Sequence, residues 1–239
     1  LLTGADGGIG RVLAPLLAQR GARLVLTGLG KDALIDQAAE LGGQAVPWSL
    51  GSAADAEALA AAAGPVDAVV HGAGLGHRGP VAEMTAAQVE RLVAINLTVP
   101  LALTRALLPP MLGAGHGHVC FVGSIAGMVA VADESAYAAA KGGLALFADS
   151  LRLEVAPAGV EVSLVAPAAV ATDFFTHRGQ AYHRQRPAPM PPERVAHAIV
   201  RALETGRPTT VVPGWMNVAV RLRGASPRGY DRLVARFDR

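Results

Sequence analysis

Tyr137 and Lys141, in the run Ser135-Ala136-Tyr137-Ala138-Ala139-Ala140-Lys141, place a phenol and an ammonium four positions apart. On a helix, residues i and i+4 share a face, so the two groups can act on one proton. A phenol with its pKa of roughly 10 is a poor acid or base at neutral pH, but a nearby cation favours its anion and lowers that value. The pair therefore has the means to give or take a proton. The same spacing occurs on ordinary amphipathic helices, and the residues around it decide its meaning. Ser124 follows the apolar run His118-Val119-Cys120-Phe121-Val122 and precedes Tyr137 by 13 positions. Alone it reads as a strand-end turn hydroxyl. Asn96, in Val93-Ala94-Ile95-Asn96-Leu97, is a polar residue in an apolar helical stretch, a position disfavoured for asparagine.

A second kind of chemistry is written at the start of the chain. Thr3-Gly4-Ala5-Asp6-Gly7-Gly8-Ile9-Gly10 lies between the apolar Leu1-Leu2 and the helix-like Arg11-Val12-Leu13-Ala14-Pro15-Leu16-Leu17-Ala18. This is a strand, a glycine-rich turn and a helix N-terminus. Unpaired N–H groups at the positive end of the helix dipole bind a pyrophosphate, and glycines let the backbone approach it.

The elements that must position these groups alternate along the chain. Apolar runs at 23–27, 44–48, 66–71, 117–123, 160–165 and 209–213 join the one at Leu1-Leu2 as buried parallel strands, each bracketed by helical segments. The pattern predicts an α/β fold, a doubly wound parallel sheet of about seven strands with helices on both faces. Thr85-Ala86-Ala87-Gln88 has the form of a capping box, and Pro191-Pro192-Glu193 suits the opening of a helix through 205. The stretch 173–192, rich in His, Arg, Gln and Pro, lacks a period and reads as a loop, in which Phe174, Phe175, Tyr182 and Met190 suit an apolar pocket or core packing equally. With 239 residues and 51% hydrophobic content, the chain suits one domain over 1–239.

Gly4-x-x-x-Gly8-x-Gly10 and Tyr137-x-x-x-Lys141, with Ser124, Asn96 and Pro167-Ala168-Ala169-Val170-Ala171-Thr172 in register, resemble the short-chain dehydrogenase/reductase family over residues 1 to about 213. The resemblance implies a Rossmann fold, a catalytic set of Asn96, Ser124, Tyr137 and Lys141, an NAD(P) cofactor, and a mobile substrate lid over about 173–192. The cofactor would meet Gly4, Asp6, Gly7, Gly8, Ile9 and Gly10, then Gly28 and Leu29, then Ser49 and Leu50. Further along it would meet Gly72, Ala73 and Gly74, the catalytic residues Asn96, Tyr137 and Lys141, and finally Pro167, Val170 and Thr172. By the same resemblance Tyr137 exchanges a proton with a carbonyl oxygen that Ser124 stabilises. Lys141 lowers the phenol pKa and holds the nicotinamide ribose, and Asn96 positions a water behind Lys141.

The chain departs from the family pattern in places. His71-Gly72-Ala73-Gly74 stands where Asn-Asn-Ala-Gly is common, with His71 read as structural. Ser49-Leu50 replaces an adenine-binding aspartate, Ala168 a glycine and Asp6 a small hydroxyl residue. Gly28 lacks the carboxylate that an NAD ribose calls for, so Lys31 and Arg11 tilt the choice slightly toward NADP, with Asp6 opposing if it points inward.

The expected function is hydride transfer between a nicotinamide cofactor and the carbonyl or secondary alcohol of a small apolar molecule. The alternative is a non-catalytic dinucleotide sensor or scaffold on the same fold. No metal is called for. The net charge of +2 is dispersed rather than polybasic, which argues against nucleic acid. Cys120 reads as a buried inert thiol. No apolar run reaches membrane-spanning length and no signal-peptide pattern is present, so a cytoplasmic enzyme is expected. The opening without Met, almost inside a strand, suits a trimmed sequence. In the tail 214–239, Tyr230, Leu233, Val234 and Phe237 oppose Arg228, Arg232, Arg236 and Arg239 at helical spacing. Docking on its own domain or a partner subunit is expected there, ahead of contact with a membrane surface. By resemblance, the helices containing 97–112 and 137–156 would build a homodimer or homotetramer.

Overall fold

The computed structural model describes residues 1–178 and 188–237, with the backbone alone for 233–237. In chain order the elements are β1 (Leu2–Thr3), α1 (Gly8–Ala18), β2 (Val25–Thr27), α2 (Lys31–Glu40), β3 (Gln44–Ala45), α3 (Ala53–Ala63) and β4 (Ala68–His71). There follow α4 (Ala86–Val93), α5 (Val99–Ala114), β5 (Gly117–Val122), α6 (Ser135–Val155), β6 (Val160–Pro167) and α7 (Phe174–His177). The last are α8 (Pro192–Thr205), β7 (Thr209–Val212), α9 (Asn217–Ala225) and α10 (Pro227–Phe237).

The seven strands are parallel and lie in the order β3-β2-β1-β4-β5-β6-β7. From β1 the chain winds outward through β2 and β3, then returns to lay β4 on the other side of β1. That reversal opens a crevice beyond the carboxyl ends of β1 and β4. The strands read as continuous apolar runs because both faces are covered. Successive residues alternate sides: Val70, Cys120 and Val122 join the core under α1, α2 and α8 with Leu13, Leu34 and Ile199. Val69, Val119 and Phe121 join the core under α3, α5 and α6 with Leu59, Leu103 and Leu144. Each such large apolar side chain contributes on the order of 1.5–3 kcal/mol by leaving water.

Local signals hold at the helix starts. Thr85 Oγ1 accepts from Gln88 N at 3.2 Å while Thr85 N donates to Gln88 Oε1 at 2.8 Å, the reciprocal capping expected before α4. Helix α8 spans Pro192 to Thr205 as its proline start predicts. One expectation needs correction. With the π-helical turn Ala94–Thr98 between them, α4 and α5 form one helix of 29 residues, long and apolar enough to cross a bilayer by length and composition. The polar Arg91 and Asn96 interrupt the run without ending the helix. Val99, Leu103, Leu107 and Met111 bury one face of it in the core of this fold.

His71 ends β4 at the sheet centre. It shares a 2.9 Å hydrogen bond with Thr104 Oγ1, and its ring stacks on Phe121 with centroids 4.8 Å apart. Burial pushes its pKa down to about 3, so the imidazole is neutral and braces the sheet, as the sequence suggested. Burial likewise pushes the Cys120 thiol up to about 12, which leaves it unreactive.

Candidate active site

The crevice is a cleft of about 1640 Å³, large enough for a dinucleotide and a substrate together. At one end lies the glycine loop. Gly4 has φ +67°, and a Cβ there would stand 2.8 Å from Ala73 N, so β1 and the turn after β4 touch backbone to backbone. A Cβ on Gly10 would stand 2.2 Å from Gly4 O, and its absence lets α1 start directly against the loop, with Gly8 and Ile9 on the cleft wall. Gly7, Gly8, Ile9, Gly28, Leu29, Leu50, Gly72, Gly74, Pro167, Val170 and Thr172 line the same cleft. The glycines let these backbone segments close on one another around the cleft, where a Cβ would strike a neighbouring segment, and the resulting cradle fits a pyrophosphate and ribose in extended form.

Ser124, Tyr137 and Lys141 meet at the middle of the cleft. Ser124 follows β5 at the head of a tight turn, where its Oγ accepts from Ala126 N at 3.2 Å and its hydroxyl is near enough to the Tyr137 phenol to favour the phenolate. Tyr137 and Lys141 are buried on one face of α6. Burial pushes the phenol up to about 12, with the Ser124 hydroxyl acting in the opposite direction. Burial also pushes Lys141 down to about 8. The expectation that Lys141 lowers the phenol pKa is therefore corrected for the free protein. Its Nζ donates to the Val122 carbonyl at 3.0 Å and stands 6.0 Å from the phenol ring centroid, too far to outweigh desolvation.

Two more assignments shift. Asn96 is fully buried in the π-helical turn and does not line the cleft. Its Nδ2 donates to Leu75 O at 2.7 Å and Leu92 O at 3.0 Å, and its Oδ1 accepts from Leu75 N at 3.3 Å. The side chain thus braces the loop beneath Lys141, and direct cofactor contact falls away. Ser49 is exposed and absent from the wall, whereas Trp48 and Leu50 are on it. The chain beyond β3 runs extended, with Trp48 N bonded to Gly28 O, so neighbours point to opposite sides. That period of two was the signal available for Trp48.

The third part of the cleft is built from side chains. Phe174 lies 5.9 Å from the Tyr137 ring and Phe175 lies under the Arg178 guanidinium at 4.5 Å. Arg178 Nη1 donates to Glu134 Oε1 at 2.6 Å, tying α7 to the start of α6 with both side chains largely buried. Of the two readings open for Met190, the core one holds: it packs beneath α8, held by bonds to Ala169 and Ala171. Residues 179–187, including Tyr182, lie outside the described residues. Trp215, Met216, Ala219 and Tyr230 close the cleft from the tail, and Tyr230 OH donates to Ala130 O at 2.9 Å. The tail thus docks Tyr230 on its own chain; the side chains of Leu233, Val234 and Phe237 lie outside the description. Glu134, Arg178 and Trp215 carry no spacing signal, because distant segments bring them here.

A family model for short chain dehydrogenase matches residues 1–183. The chain belongs to the short-chain dehydrogenase/reductase family. Dehydrogenase/reductase SDR family member 7B of Bos taurus is 33% identical, covering 98% of this chain and 79% of its own length. Ketoacyl reductase HetN of Nostoc sp. is 31% identical, covering 89% of this chain and 77% of its own. A short-chain dehydrogenase from Sphingobium yanoikuyae, solved in complex with NADPH, superposes with a TM-score of 0.84 at 27% identity, covering 98% of this chain and 93% of that one. Membership in this family makes the chain an oxidoreductase by relationship. The glycine cradle of this short-chain dehydrogenase/reductase opens directly onto Ser124, Tyr137 and Lys141.

Proposed function

We propose that the protein transfers hydride between NAD(P) and the carbonyl or secondary alcohol of a small, largely apolar molecule. The observation that carries this reading is the continuity of the backbone cradle with Ser124, Tyr137 and Lys141 in one cleft. A nicotinamide held there supplies the hydride. Pro167, Val170 and Thr172 would hold its ring end, with the loop from Gly4 to Gly10 at the pyrophosphate.

The chain's own residues handle the proton. With its pKa at about 12, Tyr137 holds its proton throughout the neutral range and is set to donate it to a carbonyl oxygen. Ser124 donates to the same oxygen and stabilises negative charge as it develops. Lys141, by family resemblance, binds ribose hydroxyls, and its charge aids the phenol once the cleft is filled. Asn96 acts as a positioning residue through Leu75. Phe174, Phe175 and Val131 give the substrate end an apolar wall, which supports the substrate class. Exposed Leu146 and Leu153 on α6 and Leu112 on α5 support a homodimer or homotetramer.

The test is absorbance of the reduced cofactor at equilibrium and in turnover against a panel of ketones and aldehydes. Turnover with at least one carbonyl, abolished in Tyr137→Phe while the cofactor still binds, is expected. Tight cofactor binding with no turnover across the panel would favour the sensor reading instead.

A further inference from the structure

We infer that Asp6 selects the cofactor's adenosine ribose, favouring a free 2′-hydroxyl over a 2′-phosphate, so that this protein takes NAD(H) ahead of NADP(H). The inference rests on the dinucleotide reading above and reverses the slight tilt to NADP drawn from Lys31 and Arg11. In dinucleotide folds an acidic residue at the end of the second strand bonds the ribose 2′-hydroxyl. Here that place in the chain is Gly28, which has no side chain to offer.

The structure supplies the carboxylate from elsewhere. Asp6 reaches across from the glycine loop, and its Oδ2 accepts from Leu29 N and Gly30 N, both at 2.8 Å. Its other oxygen is turned onto Gly28: a Cβ on residue 28 would lie 2.0 Å from Asp6 Oδ1 and 2.4 Å from Asp6 Cγ. The Asp6 carboxylate thus fills the volume that a residue-28 side chain would occupy, and both positions line the cleft. Glycine at 28 and aspartate at 6 are two halves of one arrangement.

Two consequences disfavour a 2′-phosphate. The N–H groups at the head of α2, which would otherwise receive an anion, are already bonded to Asp6. A phosphate would also meet a carboxylate held rigidly in place, whereas a hydroxyl can donate to it. The cations nearby do not reverse the sign. Lys31 is not on the cleft wall; Arg11 is, but it also borders a recess with Asp6, Asp36 and Glu40, three carboxylates to its one guanidinium.

Isothermal titration calorimetry of the full chain with NADH and NADPH tests the assignment without any substrate. The wild-type protein is expected to bind NADH at least about tenfold tighter than NADPH. Asp6→Ser should remove that preference by strengthening NADPH binding. The double variant Asp6→Ser/Gly28→Asp, which returns a carboxylate to the same volume from β2, should restore it. A merely structural role for Asp6 would weaken both cofactors together. Equal or tighter NADPH binding by the wild type overturns the assignment even if neither variant folds, and so does an unchanged ratio in Asp6→Ser. Failure to bind either dinucleotide overturns the dinucleotide site itself, and the assignment with it.

Discussion

The glycine-loop end of the cleft and its α7 end are built in opposite ways. At the first, backbone meets backbone: β1, the turn after β4 and the head of α1 approach closely, and side chains are excluded from the space between them. At the second, Phe174, Phe175, Arg178, Glu134 and Trp215 form the wall, and the main chain merely carries them. A backbone cradle suits a ligand common to a whole family, since every residue provides the same N–H. A side-chain wall suits a ligand that differs from one protein to the next. Tyr137 stands where the two constructions meet.

The comparison breaks first at that meeting point. Tyr137→Phe should lower turnover by about 10³-fold, within the range for loss of a general acid, with cofactor affinity unchanged by calorimetry. If affinity fell equally, the phenol would belong to the cradle rather than to the chemistry. Gly10→Ala should come next. Its Cβ would sit 2.2 Å from Gly4 O, and about 1–3 kcal/mol of overpacking should appear as a lower Tm together with roughly 100-fold weaker dinucleotide binding. A side-chain truncation at the other end should do something different. Arg178→Ala breaks the pair with Glu134 and should raise KM for the carbonyl substrate by about tenfold while the NADH Kd stays put, because the pair orders a wall and not the cradle.

A pH profile sharpens the junction. Lys141 sits at about 8, below its ordinary 10.5, so it is charged below pH 8 and loses its proton above it. Tyr137, at about 12, remains protonated throughout that window. Carbonyl reduction is therefore expected to be flat below pH 8 and to decline above it, and Lys141→Arg should carry the decline to higher pH. A profile unchanged by that substitution would detach Lys141 from the limb. The smallest effect belongs to Ser49→Ala, expected within about twofold of wild type for both cofactors, since only position-by-position alternation separates it from Trp48 on the wall. A larger loss would place Ser49 back in the site.

Much of this molecule was legible in its sequence. The continuous apolar runs gave away strands covered on both faces, the glycine loop announced where a helix begins against a strand, and the spacing of Tyr137 and Lys141 put both on one face of α6. These are local properties, set by 2.0- and 3.6-residue periods and by the absence of side chains at particular positions. Tertiary structure decided what depends on segments far apart in the chain. It placed the Asp6 carboxylate in the space beside Gly28, joined Glu134 to Arg178 across 44 positions, turned Trp48 inward and Ser49 outward, and buried Asn96 under Leu75. It also moved the Tyr137 phenol up and the Lys141 ammonium down, because desolvation is a property of the surroundings that fold around a group, and spacing along the chain does not contain it.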